Sequence, residues 1–163
     1  MNAVRSPSIG RFSHLAVSLT ILVPAMGQEQ FPLAQIETPI EIQLDDHEVP
    51  VITADSYLDT LVGQGWMQGR ERFFQMDLMR RQAAGELSGI AGTFTVERDT
   101  RMVVLRRREL AARILDELPA EEREMIRAYT RGVNAGLEDR KQPPVEYQTL
   151  GLDPIHWQPA DTI

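Results

Sequence analysis

The chain has 163 residues, enough for one domain with a core and too few for two comfortable ones. Hydrophobic residues make up 42% and charged residues 25%, which excludes the charge-rich, apolar-poor signature of disorder. A net charge of -7 argues against sequence-independent nucleic-acid binding, and the lack of any cysteine excludes a disulfide framework, a thiolate zinc site and a cysteine nucleophile.

Residues 1–27 read as an address. Arg5 and Arg11 stand there without an acid, and an apolar run from Leu15 to Val23 is followed by Pro24, Ala25, Met26 and Gly27. A basic start, a short apolar middle and small residues near the end describe a secretory signal cleaved close to Gly27-Gln28. The run is too short for a bilayer core of about 30 Å, which takes roughly 20 helical residues. The expected location is therefore the periplasm or the medium, with residues 28–163 as the mature portion and no membrane attachment once the signal is removed.

After a proline-bearing lead-in, Ile40, Ile42 and Leu44 alternate with Glu41, Gln43 and Asp45, the period of a half-buried strand. Asp45-Asp46-His47-Glu48 forms a polar turn, and Val49 to Ala54 gives a second strand, so the pair reads as a hairpin. A long helix is expected from Tyr57 to about Ala84, with Ser56 as N-cap and Asp59 completing a capping box. Gly63, Gly65 and Gly69 cost up to about 1 kcal/mol each inside a helix, and their spacing predicts close approach by another backbone deep in a larger body. Ser88 to Gly92 breaks the pattern. A second helix is expected from about Met102 to Leu118 and a third from Ala120 to about Leu137, followed by an irregular proline-rich tail from Lys141. The visible class is α+β, mostly helical: a short hairpin plus three helices.

Each candidate for chemistry has a plainer structural explanation. Asp45, Asp46, His47 and Glu48 are of metal-ligand type, but four adjacent residues at a turn cannot converge on one ion, and turn chemistry accounts for them. Arg70, Glu71, Arg72, Asp77, Arg80 and Arg81 are the densest charges on an otherwise apolar helix. If that helix is buried they form a paired network, with Asp77 positioned for Arg81 at i+4. Arg106-Arg107-Arg108 reads as an ion-paired or solvated helix face, given Glu109, Asp116 and Glu117 nearby. His14, His47 and His156 fall in no triad or metal motif. Trp157 followed by Pro159 reads as a packing anchor, and Asp161-Thr162-Ile163 as the start of a helix.

The stretch from Gly63 to Asp77, with Arg80-Arg81 and Gly85, resembles the glycine-containing long helix of the penicillin acylase family, which includes penicillin, cephalosporin and acyl-homoserine-lactone acylases. Val49-Pro50, Ile52, Asp59, Asp99, Arg101, Tyr129, Gly132-Val133-Asn134-Ala135 and the Trp157-x-Pro159-x-Asp161 ending continue the likeness in order, over roughly Ile40 to Ile163. The chain departs from the family pattern at Glu48, where glycine is usual, at Val51, where Pro-His-Ile is typical, and at Gly85-Glu86-Leu87-Ser88-Gly89, where Gly-Arg-Leu-Ala-Glu is common.

The resemblance implies an amino-terminal fragment of a four-layer αββα N-terminal nucleophile hydrolase, made as a precursor that cuts itself. It implies linear amide cleavage by a new amino-terminal serine of a later β subunit, whose own α-amine, with a pKa near 8, serves as base. It also implies that the nucleophile, oxyanion hole, acyl pocket and calcium ligand lie downstream, so no catalytic, cofactor or metal residue is assigned here. Calcium belongs, if anywhere, to the full-length parent. The expected partner is the missing β subunit, with a small-molecule acyl amide as the parent's substrate and no nucleic acid. The alternative is an exported non-enzymatic helical binding module or an inactive remnant.

Overall fold

The computed structural model describes residues 39–163, so the secretory-signal reading of residues 1–27 lies outside the described residues. Strands β1 (Glu41–Leu44) and β2 (Pro50–Thr53) pair antiparallel, with Ile42 opposite Ile52 and Leu44 opposite Pro50. Ile40 and Ile42 face inward and are buried, whereas Leu44 is exposed, so the apolar face predicted from the alternation is only partly used. Asp45 shapes the turn: its Oδ1 accepts from the backbone N–H groups of His47 and Val49, each at 2.8 Å. Glu48 lies there at φ 62°, a left-handed conformation that disfavours any side chain, and it stands where the family pattern has glycine.

Helix α1 runs from Tyr57 to Ala84, the span the sequence predicts. At its start Ser56 Oγ accepts from the Asp59 N–H at 3.1 Å and donates to Asp59 Oδ2 at 2.7 Å. At its end Gly85 adopts φ 77° and its N–H bonds back to the last turn.

Of the three α1 glycines expected to meet a backbone, Gly63 faces the side chains of Ile40 and Ile52 instead, and the backbone that approaches Gly65 and Gly69 belongs to this same chain. Helix α5 (Ala120–Glu138) crosses α1 so closely that a Cβ on Gly65 would stand 2.2 Å from the Tyr129 carbonyl oxygen. One on Gly69 would stand 2.0 Å from that of Val133. The relation is reciprocal, because a Cβ on Gly132 or Gly136 would meet the carbonyl oxygens of Val62 and Trp66, each at 2.1 Å. Two glycine pairs spaced by four therefore interlock, and the larger body expected around α1 is in this respect α5.

Two apolar clusters flank the crossing. Ile40, Ile42, Val62, Trp66 and Ala128 join the hairpin to the first half of α1. Phe73, Val133, Leu137, Tyr147 and Trp157 join its second half to the end of the chain. Tyr147 reaches that cluster from α6 (Val145–Leu150), a short helix that starts after Pro144 and stops at Gly151 in the left-handed region, within the tail expected to be irregular.

Between α1 and α5 the chain differs most from expectation. Ser88 to Ala91 forms the one-turn helix α2, a 3-10 turn covers Thr93–Thr95, and α3 spans Val96–Val103. The helix expected over 102–118 is divided: α4 occupies only Arg107–Glu117, entered through Arg106 at φ 49°. The cause is two anchors with different directions. Asp99 of α3 accepts from the backbone N–H groups of Leu87 (3.1 Å) and Ser88 (2.7 Å), while Arg108 of α4 is held by Glu86 and Asp161. One straight helix cannot satisfy both. The described chain ends in a 3-10 turn over Pro159–Thr162.

Candidate functional site

The charged face of α1 and the end of the chain assemble into one buried knot centred on Arg80. Asp77 and Arg80 lie three apart on α1, so both point toward the groove that α6 and the terminal turn fill. Asp77 is fully buried. Its Oδ1 accepts from Arg80 Nε at 2.7 Å, and its Oδ2 accepts from Arg81 Nε at 3.0 Å and from the Tyr147 hydroxyl at 2.5 Å. Burial alone would raise the Asp77 pKa. The Tyr147 hydroxyl and the two guanidinium groups outweigh it and hold the carboxyl below its usual range. Burial, and donation to Asp77, push the Tyr147 phenol up in turn.

The rest of the Arg80 guanidinium is also committed. Nη1 donates to Asp161 Oδ2 at 2.7 Å and to the His156 carbonyl at 3.2 Å, and Nη2 donates to the Ile155 carbonyl at 2.6 Å. Its plane lies 4.9 Å from the centre of the Trp157 ring. A planar five-donor group fills this position as an ammonium could not.

Asp161 extends the knot outward. It accepts from Arg80, from Arg108 Nη1 at 3.0 Å and from the Gln158 backbone N–H at 2.8 Å. Arg108 is also bidentate to Glu86, at 2.6 and 2.5 Å. The Arg108 hydrogen bonds hold the Glu86 carboxyl below its usual range, and Glu86 raises the guanidinium pKa. Where the family pattern carries a base, this chain carries an acid that is matched by an arginine on another helix. Asp99 is likewise held low: burial opposes ionisation, and the hydrogen bonds from Ser88 and Leu87 more than offset it.

Asn134 clamps the same region from α5. Its Oδ1 accepts from the Trp157 N–H at 2.7 Å and its Nδ2 donates to the Trp157 carbonyl at 3.0 Å, while the indole Nε1 donates to Thr162 Oγ1 at 3.0 Å. Trp157 is thus the packing anchor the sequence suggested. Tyr129 donates to Gln68 Oε1 at 2.7 Å, and burial pushes its phenol up.

Of the charges singled out on α1, Asp77, Arg80 and Arg81 meet, whereas Arg70 turns away to Asp139 and Glu71. Asp45, Asp46, His47 and Glu48 stay in their turn. His156 lies 3.2 Å from Glu138 at the surface. Sequence reasoning missed Asp161, Glu86 and Tyr147 as members of the knot. Only the Trp-x-Pro-x-Asp ending gave a signal, since nothing local says which arginine its acid meets. Among the described residues, no group of three or more His, Cys, Asp or Glu side chains could hold a metal ion, and no helix is long and apolar enough to cross a membrane. Both oxygens of Asp77 are taken up by donors, so the knot offers no free base. Its chemistry is positional: it fixes α1, α4, α6 and the terminal turn relative to one another.

Comparison with known proteins agrees with this geometry. The family model described as Penicillin amidase matches residues 39–163. Penicillin acylase 2 proenzyme of Pseudomonas sp. (strain SE83) is 33% identical over 142 residues, covering 87% of this chain and 18% of that protein. Acyl-homoserine lactone acylase QuiP of Pseudomonas syringae pv. tomato is 29% identical over 142 residues, covering 86% of this chain and 17% of that protein. A thermostable penicillin G acylase from Alcaligenes faecalis is similar in structure, with a TM-score of 0.69 at 27% identity over 78% of this chain and 69% of that one. The chain thus spans under a fifth of the length of the curated relatives it matches.

Proposed function

Because the chain belongs to the penicillin amidase family, we propose that it is the amino-terminal, α-subunit portion of an exported acylase and that its role is architectural. The observation that carries this reading is the knot itself. The buried ionisable groups Asp77, Arg80, Asp99 and Asp161 are engaged by partners within the chain, and none is poised as nucleophile, base or metal ligand. The parent is a linear amide hydrolase whose nucleophile, with its α-amine as base, is supplied by the rest of the polypeptide, the β subunit. Penicillins, cephalosporins and acyl-homoserine lactones are the substrate classes to test, because relatives of two of these kinds align over the same residues. Calcium, if the parent uses it, is bound outside the residues described here, and residues 1–27 direct export to the periplasm or the medium.

The test is an assay of purified chain against phenylacetyl, glutaryl and long-chain acyl amides, alone and after co-expression with the rest of an acylase. No turnover is expected from the chain alone, and turnover is expected from the pair. Hydrolysis by the chain alone would overturn the reading. Sequencing the DNA beyond the Ile163 codon is the quickest companion observation: an in-frame acylase continuation is expected, and unrelated sequence would contradict it.

One observation favours a second reading. Gly65 and Gly69 of α1 are covered by α5 of the same chain, as they would be in a self-contained exported non-enzymatic module. Sedimentation with a thermal melt separates the two only together with the DNA: a cooperative monomer followed by unrelated sequence supports the module.

A further inference from the structure

The sequence holds three runs of adjacent bases, Arg80-Arg81, Arg106-Arg107-Arg108 and Arg140-Lys141, and the fold treats them differently. Arg80 and Arg81 lie inside α1, with side chains 7% and 15% exposed and committed to Asp77. Arg140-Lys141 follows α5, but Arg140 donates to the Arg70 carbonyl and Asp139 pairs with Arg70, which ties this connection to α1. Pro143 and Pro144 come next, and they lack the N–H groups that an extended substrate donates.

The run at Arg106 has none of these protections. Helix α3 ends at Val103 and α4 begins at Arg107, so Val104, Leu105 and Arg106 connect them outside both helices. Val104 is 71% exposed, Leu105 51% and the Arg106 side chain 71%. Arg106 sits at φ 49°, a left-handed conformation whose cost is released when the backbone becomes extended. Its side chain makes no capping hydrogen bond, and α4 has no buried residue, so the first turn of α4 opens easily. Glu109, the ion-pair partner of Arg106, is itself exposed on that turn.

We propose that the Arg106-Arg107 junction is a processing site for an endoprotease that cleaves after arginine. Such an enzyme takes Arg106 into an acidic specificity pocket, with the exposed Leu105 beside it. Water adds across the peptide bond, leaving a carboxylate on Arg106 and an ammonium on Arg107, and no other reactant is needed. The cut leaves the fold standing. The piece ending at Arg106 and the piece starting at Arg107 each contribute one helix to the glycine crossing, and the Arg80–Asp161 bond at 2.7 Å and the Tyr147–Asp77 bond at 2.5 Å join them as well. What loosens is α4, because the new ammonium stands at the positive end of its dipole beside Arg108. The site goes beyond the architectural reading and does not depend on it.

The experiment is brief digestion of the full chain with a trace of trypsin under native conditions, read by mass spectrometry. The first cut within residues 39–163 falls after Arg106 or Arg107, and the two pieces elute together on size exclusion and melt cooperatively. Arg106→Gln combined with Arg107→Gln slows this cut at least tenfold. Subtilisin, which needs no base, still opens residues 103–108 of both proteins at the same rate. Both substituted side chains are exposed, and a thermal melt confirms that the variant folds. A first cut after Lys141 or inside α1 or α5 overturns the site, as does a cutting rate that follows global unfolding in urea. An unchanged rate in the double variant overturns the role of the arginines. Separation of the two pieces on the column overturns the claim that the cut leaves the fold standing.

Discussion

The α1–α5 crossing and the α3–α4 segment end in opposite states. In the crossing, glycines remove side chains so that two backbones touch, and the flanking charges are buried with partners inside the chain. In the segment, apolar side chains are present in number and stay exposed among the described residues. The difference teaches that apolar content alone does not locate a core. Interlocking shape and satisfied polar groups do, and where they are missing an apolar surface is left for something else.

The largest test of this contrast strikes the knot. Asp77→Asn keeps the volume but removes the carboxylate from Arg81 and from the Nε edge of Arg80, which keeps Asp161, and should cost about 3 kcal/mol. A urea melt reads this, and a loss under 1 kcal/mol would mean that the knot is incidental. At the crossing, Gly65→Val would drive a side chain into the Tyr129 carbonyl and should cost about 1–3 kcal/mol or prevent folding. Leu110→Asp in the segment should change stability by no more than about 0.5 kcal/mol.

The pH dependence follows from the carboxyls held low. Asp77, Asp99 and Glu86 have folded pKa values below their ordinary ones, so their contribution is present above the unfolded value near 4 and is lost as pH falls through the folded values. The melting temperature should be flat from pH 7 to about 5 and fall below about 4, less steeply in Asp77→Asn than in the wild type. A steep fall already at pH 6 would assign the dependence to other groups. The Glu86–Arg108 pair is half exposed, so Glu86→Ala should cost only about 0.5–1 kcal/mol, with Glu86→Arg combined with Arg108→Glu recovering part of it. In the opposite direction, Glu48→Gly should stabilise by about 0.5–1 kcal/mol, since glycine accepts φ 62° without strain.

What could be read from the sequence divides along the same line. Helix α1 with its N-cap, the hairpin turn at Asp45, the Asp77–Arg81 pair and the Trp157 anchor rest on local spacing, and local spacing predicted them. The glycine pattern predicted a close backbone, but only three dimensions could show that the backbone is α5. The division of the 102–118 helix was hidden because its causes are distant: Asp99 reaches back to Leu87, and Arg108 reaches both Glu86 and Asp161. Helix α6 was hidden by its prolines, which begin a short helix as readily as they break one. Likewise Asp161 looked like the start of a helix and acts as the hinge of a charge network, because its partners lie more than fifty residues away.

Amide hydrogen exchange on the full chain tests the contrast most directly. Residues 62–80 of α1 and 128–137 of α5 should exchange only through global unfolding, while 107–117 of α4 should exchange through local opening at least tenfold faster. Protection of α4 equal to that of α1, or rapid exchange across the glycine crossing, would contradict the division into a closed module and an open face.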